Sequence, residues 1–160
     1  MESLALLLTR SPRALKRFVN VYRLVKVRRQ YPYDFVRERG PATPYKIVML
    51  LLAVVAGLPD VAARFFALLR SDADRPASLE DLVTRLERET GHGDSAEPEL
   101  RTGPDVVEEK PAFSADHVAR LRAWLEDPQA AEREAWKTLA TSALAEWAEI
   151  VARYSFRVQV

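Results

Sequence analysis

A chain of 160 residues, 48% of them hydrophobic, can bury one core and fits a single domain. It has no cysteine, which excludes disulfides and thiolate chemistry, gives no support for a secreted scaffold and leads to the expectation of a cytoplasmic protein. The net charge is only +1, yet residues 1–46 carry eleven Lys/Arg against three Asp/Glu and the remainder is acidic. An anionic partner is therefore expected at the N-terminal end.

In chain order, the Leu4-Ala5-Leu6-Leu7-Leu8 run is too short and too poorly flanked for a signal peptide. It reads as the tail of a preceding helix. Ser11 is placed to cap the next helix, and Pro12 falls at the first helical position, where its missing N–H costs nothing. At about 100° per residue, Leu15, Phe18, Val19, Tyr22 and Val25 gather on one side of this helix and Arg13, Lys16, Arg17, Asn20 and Arg23 on the other. Leu24 interrupts the polar side, so part of that side is expected to pack against protein. A basic helix face is most often simply solvated. Two placements point further. Arg13 sits in the first turn, where a cation opposes the helix dipole, and Asn20, a weak helix former, stands mid-helix between Arg17 and Arg23. Residues set against local preference often mark function, and these five side chains are the candidate anion site.

Tyr31-Pro32-Tyr33 breaks the chain, because the residue before a proline avoids the α region. Pro41-Ala42-Thr43-Pro44 opens an apolar helix near 45–56, closed by Gly57 and Pro59. The longest apolar run, 47–58, is twelve residues, short of the roughly twenty a membrane span needs, so a buried core helix is expected and no membrane partner. A further helix from Pro59-Asp60 to about Leu69 aligns Val61, Phe65, Leu68 and Leu69. Ser78-Leu79-Glu80-Asp81 is a capping-box signature with Asp for Glu, opening a helix to about Thr90. Residues 91–111 turn polar and rich in Gly, Pro, Glu and Asp, as in a loop or disordered insertion. Ser114-Ala115-Asp116 caps a helix to about Glu126, and one long helix is expected from Asp127-Pro128 to about Arg153. Its buried members would be Trp136, Leu139, Leu144, Trp147 and Val151, with Trp124 and Trp136 as core anchors. The alternation from Phe156 to Val160 is that of a short edge strand. The expected fold is all-α, a bundle of six or seven helices with one polar loop.

The string Ser-Pro-Arg-x-Leu-Lys-Arg-Phe-Val-Asn-x-Tyr-Arg-Leu, residues 11–24, resembles the helical segment that follows the catalytic core in KAP-type P-loop NTPases. The resemblance spans roughly residues 9–26. Trp147 and the stretch Val151-Ala152-Arg153-Tyr154-Ser155-Phe156-Arg157 also look similar to the end of such proteins. In the wider AAA+ relatives a Pro-Arg pair opening a lid helix supplies the sensor 2 arginine, which reaches the γ-phosphate and couples lid position to nucleotide state. The resemblance thus implies that role for Arg13, with Arg17 and Asn20 at the lid–core contact. It also implies a P-loop core as partner, in cis or in trans, with ATP and Mg²⁺ as cofactors of the joined assembly. It allows an oligomer in which Arg13 reaches a neighbouring subunit's nucleotide.

The sequence departs from that family in one large respect: no Gly-x-x-x-x-Gly-Lys-Ser/Thr loop occurs in it. Backbone amides and lysine of that loop do most of the phosphate binding, so this chain by itself is expected not to hydrolyse ATP and to hold no cofactor. His92 and His117 lack ligand spacing, so a zinc site is not expected, and both are expected at the surface. Glu132, Glu134, Glu146 and Glu149 read as solvated or paired, Glu149 with Arg153 at i,i+4. Two rivals come from other classes. One is a nucleic-acid-binding module tracking phosphates with cations between Arg10 and Arg29. The other is a protein–protein adaptor whose basic end docks on an acidic surface.

Overall fold

The computed structural model describes residues 4, 6–8, 12–28, 35–37, 39–91, 114–127 and 132–154. Seven helices lie among them: α1 (Pro12–Arg28), α2 (Pro44–Gly57), α3 (Pro59–Arg70), α4 (Leu79–Gly91), α5 (Ala115–Glu126), α6 (Arg133–Lys137) and α7 (Thr141–Tyr154). The chain is all-α, as the helical periods imply, and the only β pairing among the described residues is two isolated bridges. Ser11, the 31–33 break, His92, the remainder of the polar 91–111 stretch and the strand read at 156–160 lie outside the described residues.

The centre is α2. Pro44, a residue without an N–H to satisfy, begins it, and residues 47–55 are all buried. A helix apolar all round must be covered all round. Helices α1, α7 and α3 supply that cover. The Thr43 hydroxyl does not cap the helix. It accepts from the Arg39 N–H at 2.7 Å and donates to the Gly40 carbonyl at 2.7 Å, closing the turn before α2.

A second layer of α4, α5 and α6 joins this centre through α3. The capping box is present in both directions: Asp81 N–H donates to Ser78 Oγ, and Ser78 N–H to the Asp81 carboxylate, each at 3.1 Å. Trp124 and Trp136 are buried against each other edge to face, ring centres 5.6 Å apart. The five residues expected to be buried between 136 and 151 are all buried.

The long helix expected from 128 to 153 is two helices instead. The backbone pairs out at 138–141: Leu79 N–H donates to the Leu139 carbonyl at 2.9 Å and Thr141 N–H to the Ala77 carbonyl at 3.2 Å. The buried Thr141 hydroxyl donates to the Pro76 carbonyl. These bonds to a segment about sixty residues away replace intrahelical ones, so the helix stops and restarts. On α1 the buried stripe is rotated from the expected one. Phe18, Val21 and Val25 are buried, while Leu15 is 52% exposed. His117 is half-buried rather than at the surface, with Nδ1 3.3 Å from Asp60 Oδ2 on α3.

Candidate anion-binding groove

The N-terminal half of α1 has no acidic residue in its first turn. Its buried face holds it on α2 and α7, and an aromatic chain fixes its angle. Tyr22 of α1 meets Phe35 at 6.3 Å between ring centres, and Phe35 meets Trp147 of α7 at 5.7 Å. Burial and the neighbouring Tyr45 push the Tyr22 phenol above its ordinary value, so it stays neutral and behaves as a packing group. Two turns beyond Trp147, on the same side of α7, stands Tyr154.

Between α1 and the end of α7 opens a groove of about 420 Å³, lined by Arg13, Lys16, Arg17, Asn20, Val21 and Leu24 from α1 and by Arg153 and Tyr154 from α7. Four of the five residues singled out from the sequence thus share one concavity. Arg23 does not line it. It lies about 60° around the helix from Asn20, on the side away from Leu24. Leu24, 55% exposed, borders the groove as an apolar lip and is not covered by protein among the described residues.

The electrostatics of this groove differ from those of the rest of the molecule. On α3, α4 and α5 three arginines, Arg64, Arg85 and Arg122, are paired with carboxylates. Arg64 donates to both oxygens of Glu89 at 2.7 and 2.6 Å. Arg122 donates to both oxygens of Glu87 at 2.8 and 2.5 Å and to Thr84. The hydrogen bonds from these guanidiniums hold the Glu87 and Glu89 carboxyls below the usual range, against the opposing effect of partial burial. Among the described residues Arg13, Lys16, Arg17 and Arg23 form no ion pair, and the first-turn N–H groups of α1 add partial positive charge beside Arg13. Fork-shaped guanidiniums without carboxylates match phosphate oxygens in geometry and charge.

Among the described residues no cluster of His, Asp and Glu is arranged to hold a metal ion, and no helix is long and apolar enough to cross a membrane. Arg153 and Tyr154 are the polar groove residues that the sequence did not mark as part of an anion site. The recurrence of Trp147, Val151 and Tyr154 at i, i+4 and i+7 signals one buried stripe. It carries no sign of which helix that stripe will face.

Fold and site together define a helical bundle with a cationic groove between its first and last described helices, in which, among the described residues, Arg13, Lys16 and Arg17 have no ion-pair partner. Comparison with family models, with curated proteins and with solved structures finds no match for this chain.

Proposed function

We propose that this chain is an accessory, lid-like helical module of a P-loop NTPase, non-catalytic by itself, that reads nucleotide phosphate through α1. The observation that carries the reading is the convergence of Arg13, Lys16, Arg17 and Asn20 on one groove that no carboxylate lines among the described residues. The resemblance of residues 9–26 to the segment after a KAP-type core supports it, and assigns Arg13 to the terminal phosphate. ATP and Mg²⁺ belong to a core supplied in cis or in trans, in the cytoplasm. Within this chain Arg13 and its neighbours orient and neutralise the phosphates. The opposite wall, α7, packs on α2 and α3, so a change in the α1–α7 angle reaches the buried centre and offers a route to an effector.

The test is calorimetric titration, with the P-loop core joined to the chain, of a non-hydrolysable ATP analogue at low salt, native against Arg13→Ala. Loss of a charge-assisted hydrogen bond at a partly exposed site predicts a weakening of about tenfold. The chain alone is expected to show no ATP hydrolysis above a protein-free blank. Unchanged affinity in Arg13→Ala overturns the reading. Tight binding to duplex DNA whose salt slope falls by about one for each cation removed would instead assign the face to nucleic acid.

A further inference from the structure

Arg153 belongs to two constellations. Its guanidinium lies 3.9 Å from the Glu149 carboxylate one turn back on α7, with the two side chains 69% and 64% exposed. The same residue lines the groove opposite Arg13, Lys16 and Arg17. An exposed pair of that length binds its members weakly. Arg64 and Arg122 are held far harder, Arg122 being only 18% exposed and bonded to Glu87 at 2.5 Å. Of the arginines paired to carboxylates in the described structure, Arg153 is thus the one both loosely held and facing the groove.

We infer that Arg153 is an exchangeable fourth cation of the groove, engaged by Glu149 when the groove is empty and released to a polyphosphate when one binds. Glu149 is then an internal competitor for the site. This rests on the phosphate-binding reading above. The chemistry of the exchange is unequal: a carboxylate offers one charge, whereas a chain of phosphates offers several charges with oxygens facing both walls at once. Arg13 and Arg17 stand one helical turn apart on α1, and Arg153 faces them from α7. A linear di- or triphosphate engages these cations together, and inorganic orthophosphate engages fewer of them. Position reinforces the device. Arg153 sits in the last turn of α7, where the helix dipole favours a cation whether or not Glu149 holds it.

Titration with inorganic tripolyphosphate at low salt tests this. Arg153→Ala is expected to weaken binding about three- to tenfold. Glu149→Gln is expected to tighten it about two- to fivefold, and to do nothing once Arg153 is already alanine, the non-additivity that marks a direct coupling. Both side chains are exposed, so the fold survives either change, with circular dichroism as the check. Weakening by Arg13→Ala but not by Arg153→Ala would overturn the exchange while leaving the phosphate reading intact. No weakening by either would sink the phosphate reading itself. Tightening by Glu149→Gln that persists in the Arg153→Ala background would remove Glu149's role as competitor and reduce it to a general field effect.

Discussion

Leu7 and Gly57 show how one residue type can hold an element in place. A Cβ on Gly57 would lie 1.8 Å from the Leu7 carbonyl oxygen. The Leu7 side chain is fully buried, and Arg120 of α5 donates to the carbonyls of Leu6 and Leu7, both at 3.1 Å. This contact anchors the chain just ahead of α1, so it bears on where the groove cations stand. Gly57→Ala must displace backbone, not a flexible side-chain tip, and is expected to cost about 1–3 kcal/mol in urea unfolding. Leu7→Ala leaves a cavity at the same place and is expected to cost about 2–4 kcal/mol. If Gly57→Ala leaves the midpoint unchanged, the Leu7 segment is not packed there in solution.

Within elements, the helix dipole and the ion pairs make separate forecasts. Arg13 in the first turn of α1 faces the positive end of its own helix, so Arg13→Ala is expected to raise thermal stability slightly, by about 0.3–1 kcal/mol, while weakening anion binding. A variant that lost both would have lost its fold, so the opposite signs separate function from folding. Helix α4 is clamped to α3 through Glu89 and to α5 through Glu87. Both carboxyls titrate below their usual 4.5 in the folded protein. The unfolded chain takes up their protons first as pH falls. Their contribution is complete above the usual glutamate range and is lost as pH drops through the lowered folded values. The double variant Glu87→Gln, Glu89→Gln is therefore expected to be less stable at neutral pH and to show a flatter acid limb in urea midpoints between pH 6 and 3. Thr141 is the corresponding test of the break before α7. Thr141→Val leaves the Pro76 carbonyl without its donor at a partly buried site and is expected to cost about 1–2 kcal/mol.

At the scale of the whole molecule, charge is segregated. Glu87 and Glu89 are taken up by Arg122 and Arg64, whereas among the described residues Arg13, Lys16, Arg17 and Arg23 of α1 form no ion pair. Unpaired surface charge acts over a Debye length of about 10 Å at 0.1 M salt. Tripolyphosphate affinity is accordingly expected to fall steeply between 25 and 200 mM salt, while the unfolding midpoint, set by apolar burial around α2, moves little. A midpoint that tracked salt as closely as affinity does would mean that the α1 cations repel one another enough to govern folding.

Much of this molecule was legible in its residues, because local rules are read locally. Pro12 and the i,i+3/i+4 cations outline α1, the apolar run outlines α2, and Ser78 with Asp81 marks the start of α4. The spacing of Trp136, Leu139, Leu144, Trp147 and Val151 lists buried positions correctly even though one helix was expected where two exist. Each of these signals concerns a turn or two of chain. Tertiary structure decided whatever required a partner. The bonds from residues 77 and 79 interrupt the last helix at 138–141, and the shape of α2 and α7 rotates α1 to bury Val21 in place of Leu15. The approach of α7 brings Arg153 and Tyr154 to the cations of α1. A helical period states which face is apolar and carries no information about what will cover it. The sequence by itself therefore supplied the cations, and the packing of α7 against α1 turned them into a groove.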